Sequence, residues 1–298
     1  MNGILNILKP PEMTSFDIVA RVRGLLRIKK AGHTGTLDPM AVGVLPICLG
    51  SATKAIEFMM EKDKLYRAEL TLGITTDTQD SSGEVLETRE AAYTDEEIAA
   101  AVKSFTGKSQ QLPPMYSAVK INGRKLYEMA REGLTVDRTP RDIEIFSLNI
   151  LDIKREKNIR VLFDVHCSKG TYIRTLCADI GERLGCGGHM SFLLRKRAGA
   201  FDLTTAVTLE ELKQSVDEGN TASLLMSPEK VFEGFEAITL DELQEKKLRN
   251  GVAVDAAESG SIGTGLARVY TSKGIFFALG EVAKADNKLL LKSRKLFE

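Results

Sequence analysis

Residues 65–74 read LYRAELTLGI, and no other stretch of the chain alternates so cleanly. Tyr66, Ala68, Leu70, Leu72 and Ile74 fall on one side of an extended strand, and Arg67, Glu69, Thr71 and Gly73 on the other. That period of two is the mark of a strand with one buried face. Tyr66 therefore points with the apolar set. Ile143–Ile153 and Arg160–Cys167 alternate in the same way, and Gly3–Leu8 reads as a further short strand. Helical patterns lie between them. Thr14 or Ser15 caps a helix whose Ile18, Val19, Val22, Leu25 and Leu26 share a face, and Ser51–Asp63 turns Ala52, Ala55, Ile56, Met59 and Met60 inward. Thr94–Phe105 opens with Asp95, Glu96 and Glu97, Leu126–Arg131 is helical, and Thr171–Leu184 aligns Ile173, Leu176, Ile180 and Leu184. Strands and helices mix without a strict strand–helix–strand rhythm, so the expected class is α+β with a mainly antiparallel sheet.

Three segments lack such a period. Ala31–Gly50, AGHTGTLDPMAVGVLPICLG, carries glycines 32, 35 and 43 and prolines 39 and 46, and reads as an irregular loop. Thr75–Gly83 is a polar loop, and Gln110–Ser117 must be extended because it holds two consecutive prolines. The chain has 298 residues, about twice a typical domain. A boundary is expected near Ser227-Pro228, dividing residues 1–228 from 232–298. The later part holds three short strand-like runs, Leu266–Tyr270, Gly274–Val282 and Lys288–Lys292, joined by Ser/Gly and Asp-Asn turns, as in a small β-rich domain.

With 43% apolar and 28% charged residues the chain can bury a core, which excludes fibrous and wholly disordered readings. No apolar run approaches the roughly 20 residues that span a bilayer, and the opening MNGILNILKPP is no secretory leader. A soluble, cytoplasmic protein is expected. Cysteines 48, 167, 177 and 186 include no C-x-x-C pair, so reduced thiols are the default. Acidic and basic residues balance at 41 each but segregate. Lys103–Arg131 has six basic residues against one acid, Arg160–Arg197 seven against three, and Asp77–Glu97 eight acids against one arginine. Such a chain can present a positive face to phosphates.

Among chemical candidates, GHTGTLD lacks the Gly-Lys-Ser/Thr ending and the G-x-G-x-x-G spacing of nucleotide loops. Cys186 and His189 form one C-x-x-H pair where structural zinc needs two. His166 and Cys167 are adjacent on a strand and point to opposite faces, so they cannot act as a nucleophile–base pair. Asp38 can be a turn residue before Pro39. It can equally be a single nucleophile, standing on a glycine-rich loop beside His33, Thr34 and Thr36 with no second acid nearby in sequence. Arg174, near the start of a helix, can be a surface residue.

At these residues the chain resembles a known family. GHTGTLDPMAVGVLPICLG (32–50), KLYRAELTLGITTDTQDSSGEV (64–85), QLPPMYSAVKINGRKLYEMAREG (111–133) and SKGTYIRTLCADIGERLG (168–185) are similar, in family order, to motifs of the TruB tRNA pseudouridine synthases. The resemblance implies isomerisation of the uridine at position 55 in the T loop of tRNA, with no cofactor. It puts the catalytic aspartate on Asp38, its arginine partner on Arg174, and on Tyr66 the tyrosine that lies against the target base. His33 matches a histidine that enters the space left by the flipped base, and Tyr172 and Leu193 match residues lining the uridine pocket. The basic segment 103–131 corresponds to an insertion that closes over the RNA arm. From about Phe232, VYTSKGIFFALGEV (269–282) and KLLLKSRKLF (288–297) resemble a PUA domain, expected as a separable RNA-binding appendage. Lys9 lies in a family motif and is given no role. The expected partner is the tRNA T arm, bound by a monomer with no membrane and no obligate protein partner. Two rivals stay open: a non-catalytic tRNA-binding or folding module, and a guide-RNA-dependent pseudouridine synthase acting on ribosomal RNA with protein partners.

Overall fold

The computed structural model of the chain describes residues 1–121, 123–257, 263–285 and 288–297. Its main sheet runs in the order Gly3–Lys9, Val42–Leu49, Gly188–Ala198, Lys64–Leu72, Ile159–Cys167, Arg141–Arg155 and Gly107–Gln111. Two short strands, Ala31–His33 and Phe201–Asp202, pair at its side. Neighbours are antiparallel except where Leu194–Arg195 lies parallel to Val42–Gly43. The strand read from LYRAELTLGI sits mid-sheet, with Ala68, Leu70 and Leu72 fully buried.

Two strands depart from expectation. Within the segment read as an irregular loop, Val42–Leu49 is a complete strand whose residues from Gly43 onward are all buried. Its apolar run VGVLPICL suits a strand buried on both faces, which shows no alternation. Pro46 is tolerated because of where its missing donor falls. Its carbonyl accepts from the Thr34 N–H at 3.2 Å, so its nitrogen, on the same side, faces the point where the short strand Ala31–His33 has ended. The second departure is Gly188–Ala198, a central strand with no clean period. Register shifts between Met190 and Phe192 and between Arg195 and Arg197 each insert a residue, so the buried positions fall out of step.

The helices follow their sequence signals closely. Thr14 and Asp17 form a reciprocal capping box at the start of Ser15–Leu26, as Thr94 and Glu97 do for Asp95–Lys103. The segment 51–63 is instead a 3-10 turn, Gly50–Ala55, continuing into a short helix, Ile56–Met60, and Met60 lies outward at 49% exposure. The segment read as a polar loop, Thr75–Gly83, connects two short strands, Ile74–Thr76 and Val85–Thr88, that pair with each other and take in its first two residues.

The C-terminal part builds a second sheet in the order Glu236–Thr239, Gly265–Tyr270, Phe276–Ala285, Lys288–Leu296 and Val254–Asp255, with one helix, Glu242–Arg249. The Asp286-Asn287 turn lies outside the described residues. The two sheets share apolar contacts. Ile4, Val44, Cys48, Ala52 and Met59 of the N-terminal half pack in one cluster with Phe232, Leu279 and Phe297. The Phe232 ring lies edge-on to Phe58 at 5.3 Å and tilted on Phe297 at 5.6 Å.

Candidate active site

The loop between Ala31–His33 and Val42–Leu49 is held from several sides. Leu37, buried, receives the first helix: its N–H donates to Ser15 Oγ at 2.8 Å and its carbonyl accepts from the same hydroxyl at 3.2 Å. Asp38-Pro39-Met40-Ala41 is a β-turn closed by the Ala41 N–H on the Asp38 carbonyl at 3.0 Å, with proline at the position whose fixed φ favours it. From below, the fully buried Lys9 donates through Nζ to the carbonyls of Pro10 (2.8 Å), Pro39 (3.0 Å) and Ala41 (2.7 Å). Burial pushes its ammonium down to about 8. Asp38 is thus a turn residue and a pre-aimed carboxylate at once.

Arg174 comes to it from the first turn of Ile173–Leu184, its side chain only 6% exposed, so it is no surface residue. Nε stands 3.0 Å from Asp38 Oδ2 and Nη2 3.2 Å from Oδ1, a two-point pairing. The remaining donors are used too. Nη2 reaches the Tyr116 carbonyl at 2.8 Å, and Nη1 reaches the Thr78 carbonyl at 3.1 Å and Asp80 Oδ2 at 3.4 Å. Asp80 is a second acid in the site, 3% exposed and fixed by the Thr78 hydroxyl at 2.7 Å and the Ser82 N–H at 3.0 Å. It lies far from Asp38 in the chain, where no local motif could pair them. Burial raises the Asp38 carboxyl above its ordinary range; Arg174 and Lys9 oppose the rise, and Asp80 adds to it.

Tyr66 sits on Lys64–Leu72 beside this loop, nearly buried, and burial pushes its phenol up. Leu193, on the adjacent strand, pairs with Ala68 and joins Tyr66, Leu37 and Ile173 in one core cluster, 5% exposed. His33 and Tyr172 stand at the rim, half-buried. His33 Nδ1 accepts the Gly35 N–H at 3.3 Å. Its imidazole is pushed down by burial and then by Arg195, which favours the neutral ring. Tyr172 caps the helix bearing Arg174, and Gln111 brackets its backbone: Oε1 takes the Tyr172 N–H at 2.8 Å and Nε2 donates to its carbonyl at 3.0 Å. The structure therefore joins Asp38 and Arg174 directly and packs Tyr66 with Leu193. Among the described residues no hydrogen bond links His33 or Tyr172 to that pair.

The other candidates have ordinary partners. Cys186 Sγ lies 3.3 Å from the Gly187 carbonyl, and His189 Nδ1 2.9 Å from that of Ile74. His166 pairs with Asp63 and Arg197. The Cys167 thiol is buried and pushed up to about 12. Among the described residues no three His, Cys, Asp or Glu side chains are grouped to hold a metal ion.

Comparison with known proteins bears on this geometry. The model of the TruB family pseudouridylate synthase N-terminal domain matches residues 23–173, which include Asp38 and Tyr66, and that of the tRNA pseudouridylate synthase B C-terminal domain matches 174–233, opening on Arg174. The chain belongs to the TruB family. Similar relatives in that family include tRNA pseudouridine synthase B of Clostridium perfringens (strain 13 / Type A), 47% identical with all of both chains covered. That of Alkaliphilus oremlandii is 60% identical over 72% of this chain and 70% of its own. Among solved structures, a chain of a Cbf5-Nop10-Gar1 complex superposes with a TM-score of 0.75 at 28% identity, over 99% of this chain and 85% of the other. A chain of an H/ACA RNP bound to a substrate RNA containing 2′-deoxyuridine gives 0.75 at 26%, with the same coverage. This TruB-family fold takes Asp38 from within the first family model and Arg174 from the start of the second.

Proposed function

We propose that the protein converts the uridine at position 55 in the T loop of tRNA to pseudouridine, acting alone. The observation that carries this reading is the two-point pairing of the buried Arg174 with the half-buried Asp38. It holds a carboxylate on a braced turn beside the cluster that contains Tyr66 and Leu193. The N1–C1′ bond breaks, the uracil turns, and C5 joins C1′; the C5 proton leaves and N1 gains one, so no atom is gained or lost. An ionised Asp38 serves this by adding to C6, by adding to C1′, or by assisting elimination to a glycal, and all three routes need it charged and oriented. Tyr66 supports the detached ring and takes the C5 proton. His33 fills the space the flipped uridine leaves, and Tyr172 and Leu193 line its pocket.

Basic residues 103–131 close over the T arm. Lys103, Lys108, Lys120 and Arg131 are exposed there, and within the segment the Tyr116 carbonyl accepts from Arg174, which ties it to the pair. Residues 232–298 form a PUA-like RNA-binding part. A full-length relative named tRNA pseudouridine synthase B at 47% identity, against 26–28% for the ribonucleoprotein chains, favours tRNA over a guide-dependent substrate. The test is purified protein with unmodified tRNA transcript and nothing else. One pseudouridine per tRNA at position 55 is expected; no product without added RNA or protein would refute the stand-alone reading, and tight binding without product would favour the folding module.

A further inference from the structure

Arg195 is the largest side chain that the fold buries almost completely, at 1% exposure. It lies opposite Tyr66 in the pairing of Gly188–Ala198 with Lys64–Leu72. Among the described residues it makes no ion pair with a carboxylate. A buried guanidinium without one is costly unless its donors are used, and they are used on the catalytic loop. Nε donates to the Val44 carbonyl at 2.7 Å, Nη2 to that of Gly35 at 3.1 Å and Nη1 to that of Thr36 at 3.4 Å. Cross-strand partners leave the same face of a sheet, so the Arg195 side chain starts out beside that of Tyr66. Guanidinium has donors and no acceptor, so it can serve a phenolic oxygen only as a donor and a cation.

We propose that Arg195 is a positioning residue for proton removal, its buried cation stabilising the Tyr66 oxygen as the anion that then takes the proton from C5. This rests on the reading of Tyr66 as the group that takes that proton. After C5 has joined C1′, the C5–H bond breaks, its electron pair restores the ring double bond, and the proton passes to the Tyr66 oxygen, which has released its own to solvent. N1, freed from the sugar, takes a proton from solvent. The groups facing Tyr66 are Arg195 from one neighbouring strand, Cys167 from the other and Asp38 from the loop. Cys167 stays a neutral thiol and Asp38 is an acid, so Arg195 is the cation in this set. It opposes the burial that raises the phenol.

The test is single-turnover kinetics at saturating tRNA, with ordinary or 5-deuterated uridine at the target. Arg195→Met should bind tRNA near wild-type affinity, react at least about tenfold more slowly, and now discriminate against deuterium. Combined with Tyr66→Phe it should add little further loss. In Arg195→Lys, 3-fluorotyrosine at position 66, whose phenol ionises more readily, should restore much of the rate. A slowed Arg195 variant insensitive to deuterium and to the fluorinated ring would overturn the proposal, leaving Arg195 as a brace for the Asp38 loop alone. Loss of tRNA binding in both the Met and Lys variants would overturn it too, since Arg195 would then be needed for folding. Tyr66→Phe reacting at the wild-type rate without deuterium sensitivity would instead sink the reading of Tyr66 itself.

Discussion

Asp38 is braced on every side: a turn through Pro39, the Lys9 ammonium beneath, and a guanidinium on both carboxylate oxygens. Asp38→Asn keeps the shape but cannot act as a nucleophile, so product formation should fall by at least about ten-thousandfold. Affinity for tRNA, supplied mainly by phosphate contacts, should stay within several-fold; single-turnover and filter-binding assays on one preparation check both. Arg174→Lys keeps the charge and loses the planar two-point geometry, and a carboxylate misplaced by about 1 Å can cost roughly a hundredfold. The rate at saturating tRNA reads that loss. Because burial raises the Asp38 carboxyl, the pH profile carries its own signature. As pH falls through that raised value the carboxylate takes a proton and the nucleophile is lost, so the acid limb should lie above the ordinary aspartate value of about 4. Motif resemblance made Asp38 and Arg174 legible. Lys9, Asp80 and Gln111 stand in family motifs yet, like Arg195, are given no role by the resemblance, because each meets the site only through contacts between distant segments.

At the scale of elements, periodic strands and capped helices could be read directly, since LYRAELTLGI announces itself by spacing and Thr14 or Ser15 by its place just before an apolar helical face. Val42–Leu49 and Gly188–Ala198 could not. One is buried on both faces and the other slips register twice, and the two are neighbours in the sheet where the catalytic loop is anchored. Gly43 is the tightest point of that junction. Its φ is +115°, and a Cβ there would stand 2.3 Å from the Arg195 carbonyl oxygen, backbone that cannot swing aside. Gly43→Ala should therefore force the two strands apart and cost at least about 1–3 kcal/mol, as overpacking does. Thermal unfolding should show a clear drop in midpoint. The activity of the variant at a temperature where it is folded should fall as well, because Arg195 would draw away from the Gly35 and Thr36 carbonyls.

For the whole molecule, the expectation of a detachable tail meets a different packing. Its short strand-like runs and its resemblance to a PUA domain suggested an appendage, but neither reports apolar contacts across the chain, and Phe232, Leu279 and Phe297 close a cluster founded on Ile4 and Val44. Phe232→Ala, removing a ring that touches four other phenylalanines, should cost about 3–5 kcal/mol. Cutting the chain near Ser227 should lower the stability of the catalytic sheet along with tRNA affinity; an unchanged unfolding midpoint for the truncated protein would contradict this. The shared cluster also sets an order of events in time. A nascent chain grows at roughly 5–20 residues per second, so Ile4 and Val44 emerge from the ribosome well over ten seconds before Phe297 can cover them. During that interval the first two strands of the sheet present a bare apolar face, and it is there that a chaperone holding the unfinished chain has something to grip.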